Sequence, residues 1–264
     1  LIHRTFGSIA DSAANDIFGF DAGISFATDG GNITYGGQRL ATFTNGSGVL
    51  TISFIGDEIA VNTSMVEQLI RNITYRNDTP YGDATIRFSL TDSGGRTTHS
   101  DVTLTCSTIY VNTTNDDIDG DAADGFSLRE ALDRSLAQAS ADTIYVVLPD
   151  NSTITFGAGV VSGAGDTLNF SSARGLTVTG STLTLDGALT INTGNSDVTL
   201  GSNLVGTATL TKVGTGTLTL TNTDNEASFS GDIALNGGIL AVGADDALSS
   251  GDLRFDGGTL KVST

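Results

Sequence analysis

Two segments of the chain repeat each other. Gly231-Asp232-Ile233-Ala234-Leu235-Asn236-Gly237-Gly238-Ile239-Leu240-Ala241-Val242 realigns with Gly251-Asp252-Leu253-Arg254-Phe255-Asp256-Gly257-Gly258-Thr259-Leu260-Lys261-Val262. The offset, 251 − 231, is 20 positions. A period this short is what one coil of a β-solenoid requires, because each coil stacks its strands and its inward side chains on the next. From Leu168 onward the chain keeps the same texture, short Thr, Leu and Val strands between Gly, Asn and Asp turns. The repeat therefore predicts a parallel β-helix over this half.

The first hundred residues read differently. From Phe6 to about Thr105 short alternating segments (Ile24 to Ala27, Ile33 to Tyr35, Val49 to Ile55) are broken by turn pairs such as Asp29-Gly30-Gly31 and Gly36-Gly37. That spacing predicts an antiparallel sandwich or barrel. One helix interrupts it: Ser64 and Glu67 form a capping-box pair, and Met65, Val66, Leu69, Ile70 and Ile73 follow at helical spacing. The next strand, Ala84 to Leu90, places Ile86, Phe88 and Leu90 on one face. A chain of 264 residues with 34 Gly, few aromatics and few charges suits two all-β domains. The boundary is expected near residue 107, giving 1–107 as the sandwich and 108–264 as the solenoid, with a cap over 108–141 and coils over 142–264.

Between these halves, Ile109 to Val111 reads as a strand and is followed by an acidic loop with Asn115, Asp116, Asp117, Asp119, Asp121 and Asp124. Then comes FSLREALDRSLAQA, where Ser127 and Glu130 make a second capping box and Leu128, Ala131, Leu132 and Leu136 make one apolar stripe. Glu130 stands four before Arg134, the spacing of an exposed ion pair. Ser127, Leu128, Glu130 and Leu132 are thus the structural cap, a helix from Leu128 to Ala137 expected to cover the N-terminal end of the solenoid. Gly157 to Gly165 holds spaced glycines without the lysine of a phosphate loop and reads as a flexible insertion.

Three stretches resemble known families. VEQLIRNITYRNDTPYGDATIRFSLTDSGG, Val66 to Gly95, resembles the cadherin-like repeats of giant secreted bacterial proteins and adhesins, which serve as spacers or as carbohydrate and protein binders, many of them holding calcium. The Asp-x-Asn-Asp-Asn linker of true cadherins is missing here. Asp116 to Phe156 resembles the module named for its Cys-Ser-Leu-Arg-Glu-Ala motif, found at the head of parallel β-helices in bacterial surface proteins. Ser127-Leu128-Arg129-Glu130-Ala131-Leu132 match it, and Phe126 stands where that family has cysteine. Gly214 to Thr221 with the two 20-residue units resembles the autotransporter-associated β-strand repeat. Together these imply an antiparallel cadherin-like or immunoglobulin-like sandwich followed by a right-handed parallel β-helix with an N-terminal capping helix.

With 30 acidic against 12 basic residues the net charge is −18, which repels phosphate backbones and anionic lipid surfaces. Nucleic acid is excluded as a partner, and no apolar run approaches the roughly 20 residues that cross a bilayer. The lone Cys106 rules out an internal disulfide framework. A chain that opens Leu1-Ile2-His3 reads as an excised piece of an extracellular or cell-surface protein. His3 and His99 are solitary. The carboxylates Asp186, Asp197, Asp224, Asp232, Asp245, Asp246, Asp252 and Asp256 sit beside turn residues, and no catalytic constellation assembles. Asp117, Asp119, Asp121 and Asp124 form the leading calcium site, with an ordinary solvated turn as the alternative; Ala123 and Asp124 stand at positions five and six, so the loop is not an EF-hand. The expected function is a non-catalytic adhesin or spacer whose partners are surface carbohydrate, surface protein or neighbouring repeats. A polysaccharide lyase or glycosidase and a calcium-dependent assembly module are the alternatives.

Overall fold

The computed structural model describes residues 2–5, 16–21, 26–46, 48–77, 83–118, 124–138 and 141–262. The chain divides into two compact units, Leu1–Thr79 with Ala84–Thr105, and Pro80–Asp83 with Cys106–Thr264.

The first unit contains β1 (Ile2–Thr5), β2 (Ile17–Phe20), β3 (Phe26–Asp29), β4 (Asn32–Tyr35), β5 (Gln38–Gly46), β6 (Val49–Phe54), α1 (Thr63–Arg71), β7 (Ile73–Arg76), β8 (Ala84–Thr91) and β9 (Thr97–Leu104). Every ladder is antiparallel. A seven-stranded sheet runs β3-β4-β5-β6-β1-β8-β9, and β2 pairs with β7 as a separate ribbon. Phe18 of the ribbon packs on Ile2, Leu50 and Ile86 of the sheet, so the ribbon forms a second layer. The hairpins β3–β4 and β4–β5 turn on Gly30-Gly31 and Gly36-Gly37, all four at positive φ, as a turn that matches strand twist requires. The cap of α1 departs from the sequence reading. Asn62 is the N-cap and accepts from Met65 N–H at 3.0 Å, whereas Ser64 lies inside the first turn and its hydroxyl accepts from Gln68. Asparagine offers a longer acceptor than serine two positions before the expected cap.

The second unit is a parallel β-solenoid of about five turns. It begins with β10 (Thr108–Val111) and α2 (Leu128–Leu136). Three full coils follow: β11 (Thr143–Val146), β12 (Thr153–Phe156) and β13 (Val160–Ser162); β14 (Thr167–Asn169), β15 (Leu176–Gly180) and β16 (Thr182–Leu185); β17 (Leu189–Asn192), β18 (Val198–Leu200) and β19 (Asn203–Gly206). The next coil is β20 (Leu210–Val213), β21 (Thr217–Leu220) and α3 (Asn225–Ser228), and the last are the long strands β22 (Ile233–Val242) and β23 (Leu253–Val262).

Pairing sorts these strands into three faces. β10, β11, β14, β17 and β20 form the first, β12, β15, β18 and β21 the second, β13, β16 and β19 the third. β22 serves two faces at once, its first residues pairing β20 and its last pairing β21. It turns that corner at Gly238, where φ is 66° and an added Cβ would lie 2.4 Å from the Gly216 carbonyl oxygen. Coils range from 24 residues (Thr143 opposite Thr167) to 20 (Ile233 opposite Leu253), so the sequence repeat is the register of β22 on β23. The third face ends in helices: α2 packs on β13 at one end and α3 on β19 at the other.

Inward columns follow from the registers. Leu176, Val198, Leu218 and Leu240 stack on the second face, all buried. On the first face the column is Ile109, Ile144, Leu168, Ile191, Lys212, Leu235 and Phe255. Fully burying such a Leu or Ile contributes about 1.5–3 kcal/mol. Lys212 breaks the column yet is fully buried, because its Nζ donates to the carbonyls of Val213, Gly214 and Gly237 at 3.0, 3.0 and 3.1 Å. Burial lowers its ammonium to about 8. On β23, the last described strand, Phe255 is 54 % and Val262 70 % exposed.

The span Gly157 to Gly165 is not an insertion. It carries β13, whose Val160 and Ser162 point into the core, and its glycines admit close neighbours: an added Cβ on Gly159 would meet Thr182 Oγ1 at 2.5 Å.

Candidate functional site

Ser127 precedes α2, and Leu128, Glu130 and Leu132 lie on it, where the described part of the acidic loop meets the helix. Ser127 caps the helix, accepting from Glu130 N–H at 3.1 Å, while the Glu130 carboxylate accepts from Ser127 N–H at 2.8 Å. The box is closed and buried, so Glu130 is not the exposed partner its spacing with Arg134 suggested. Leu128, Ala131 and Leu132 enter the solenoid core, as does Phe126. The stripe then swings to Ser135, which is buried, leaving Leu136 41 % exposed where sequence placed it inside.

Sequence reasoning passed over the strongest contact here. Arg129, buried on α2, holds Asp116 through two hydrogen bonds, Nε to Oδ1 at 2.7 Å and Nη2 to Oδ2 at 2.8 Å. Its remaining donors reach the carbonyls of Gly159 at 3.1 Å and Ala158 at 2.6 Å, and its guanidinium lies 5.7 Å over the Phe156 ring. Asp116 also accepts from Gly157 N–H at 2.6 Å. Burial, the largest influence, pushes the Asp116 carboxyl up. The Arg129 hydrogen bonds, the Gly157 amide and the Arg129 charge together outweigh it and hold the group below the ordinary carboxylate range. The loop, the helix and the first coil are thereby clamped at one point.

Among the calcium candidates, Asp124 accepts from Asn115 Nδ2 at 2.8 Å, and the Asp117 carbonyl accepts from the Ser127 hydroxyl at 3.1 Å. Both ends of the loop are thus tied down beside the N-terminus of α2. Asp119 and Asp121 lie outside the described residues. Among the described residues no group of three or more His, Cys, Asp or Glu side chains converges as a metal would need.

No family model, curated protein or solved structure matches the chain. The site is therefore read from its own geometry. Three of the solenoid carboxylates bind neighbouring coils: Asp232 pairs with Arg254 at 2.6 Å, Asp197 accepts from Thr217 N–H at 3.2 Å, and Asp150 accepts from Arg174 N–H at 2.8 Å. Glu226 stands beside Asp246 at the surface; their hydrogen bond raises the Glu226 carboxyl, and the group is exposed. His99 lies exposed on β9.

Proposed function

We propose that this chain is a non-catalytic, extracellular module of a large bacterial surface protein, acting as an adhesin or extended spacer. In this reading the first unit is a cadherin-like sandwich, and the second is a right-handed β-helix headed by a cap of the Cys-Ser-Leu-Arg-Glu-Ala type and built partly of autotransporter-associated repeats. One observation carries the reading. The outward face of successive coils presents Thr153, Thr177, Thr199 and Thr219 in register, a hydroxyl ladder at the roughly 4.8 Å strand spacing. Such a surface suits repeated weak contacts with carbohydrate or protein and offers no acid, base and stabiliser around one reacting atom. The net charge of −18 supports an environment rich in calcium rather than nucleic acid. Incubation with pectins, alginates and other glycans should release no reducing or unsaturated ends. Release that disappears in a Glu226→Gln or Asp246→Asn variant would replace this reading with a polysaccharide-active enzyme.

Calcium is part of the proposal, with Asp117, Asp119, Asp121 and Asp124 as its ligands. The sequence sets these four carboxylates within eight residues, Asp117 to Asp124, and a divalent ion relieves the repulsion of neighbouring acids. At 100 times Kd, an ion bound only to the folded state adds about 2.7 kcal/mol, several degrees in Tm. Calcium should therefore raise the melting temperature above sodium chloride at matched ionic strength. An Asp119→Asn, Asp121→Asn variant should lose that difference, and full retention of it would return the loop to an ordinary turn.

A further inference from the structure

Beneath α2 lies a group that neither the proposed function nor the loop uses. Register on the first face aligns Asp142 and Asp166, each just before its strand, with Leu189, Leu210, Ile233 and Leu253, each the first residue of its strand. The first two coils therefore carry aspartate where the next four carry Leu or Ile, and both aspartates are buried, Asp142 at 1 % exposure. What meets them is Ser135 of α2, whose Oγ lies 2.8 Å from Asp142 Oδ2 and 2.8 Å from Asp166 Oδ2.

A serine hydroxyl has one hydrogen to donate. Were both carboxyls ionised, one of these contacts would set oxygen lone pairs against each other in a buried site. The surroundings of the two acids differ in a way that breaks the tie. Asp166 also accepts from Asp142 N–H at 3.0 Å and from Gly163 N–H at 2.9 Å, donors that favour the charged form. Asp142 Oδ1 is buried and has no hydrogen-bond partner among the described residues. A charged oxygen left bare there is costly, whereas the carbonyl oxygen of a neutral acid is tolerated.

We propose that Asp142 is a carboxylic acid and Asp166 a carboxylate, joined through Ser135 into one proton-sharing clasp that seats α2 on the first two coils and loosens as the pH rises. Asp142 Oδ2–H donates to Ser135 Oγ, and Ser135 Oγ–H donates to Asp166 Oδ2, so each contact has one hydrogen. Burial is the strongest influence and pushes the Asp142 carboxyl up; the Ser135 hydrogen bond opposes it, the charges of Asp166 and Asp83 add to it, and Arg134 opposes it. Because the folded value is raised, the clasp's contribution is complete below about 4, the unfolded value, and is lost as pH rises through the folded one. Above that point the proton leaves to solvent, and two charges face one hydroxyl.

Urea unfolding of the whole chain and amide exchange of α2, from about pH 5 to about pH 9, test this with two isosteres. Asp142→Asn keeps a donor toward Ser135 and removes the titration. Relative to the parent it should gain stability as pH rises from the acid end, the ratio of unfolding constants changing by up to about tenfold per pH unit, and should exceed the parent at the alkaline end. Asp166→Asn turns an amide NH2 toward backbone N–H groups and should weaken α2 protection at every pH. The infrared band of a protonated carboxyl should be present in the parent at the acid end of this range and absent from Asp142→Asn. Equal destabilisation by both isosteres, or a gap between parent and Asp142→Asn that ignores pH, overturns the proposal. So does a divalent ion that stabilises the parent but not Asp142→Asn while the acid band is missing, for then a cation bridges the pair.

Discussion

Replacing Leu128 and Leu132 together by Asp should detach α2 and leave the solenoid aggregating or melting far below the parent. Each leucine is fully buried in the solenoid core, and truncation of such a residue to Ala alone costs about 2–5 kcal/mol. Two buried charges add a desolvation cost, and the sum rivals the roughly 5–15 kcal/mol that holds a typical domain together. The lost cover also bares the apolar end of the coils around Phe156, Val160 and Phe170, a surface that invites strand addition. Thermal unfolding with light scattering reads both effects. Leu136→Asp, on the exposed side of the same helix, is the control and should change stability by less than about 0.5 kcal/mol. A double variant that melts like the parent would remove the capping role from α2.

Arg129→Met should cost about 3–5 kcal/mol, because it keeps most of the side-chain volume and strands the Asp116 carboxylate together with the Ala158 and Gly159 carbonyls. The pH dependence has a definite sign. Asp116 is held below its ordinary range, so the stability it contributes is present above about 4 and fades as pH falls through the lower folded value. The variant should therefore show a flatter acid limb than the parent. Adding Asp116→Asn should recover part of the loss, since no unpaired charge then remains and Oδ1 can still accept from Gly157 N–H. A melting curve for Arg129→Met within about half a kcal/mol of the parent would show that the clamp is decorative.

How much of this was legible beforehand varies with the range of the interaction. α2 was readable because its signals are local: a serine and a glutamate three apart and leucines on one stripe. The solenoid was readable where two coils share a length, as β22 and β23 do, but coils of 20 to 24 residues blur the period elsewhere. Gly157 to Gly165 reads as slack in the sequence because its glycines serve neighbours distant in sequence, Asp116, Thr182 and Ala141, and glycines chosen for contact look like glycines chosen for slack. Arg129, Asp142, Asp166 and Lys212 escaped for a related reason. Read locally each is an ordinary polar residue; Asp142, Asp166 and Lys212 become exceptions only when coils are laid in register and a column of Leu and Ile appears around them, and Arg129 only when Asp116 and the Ala158 and Gly159 carbonyls are brought to it. Such an alignment could have been made from the sequence once the corner positions were known, and those are set by the fold.

The stacking of coils also has a mechanical meaning. Strands lie across the axis, and the hydrogen bonds between coils run along it, so tension applied at β23 loads one ladder at a time rather than all of them in shear. Each coil that peels away frees 20 to 24 residues, roughly 70–80 Å of extended chain, and leaves the next ladder facing the same load. The second unit would thus lengthen in even steps, dissipating work at each, until the peel arrives at the Arg129 clamp and the capped first coil.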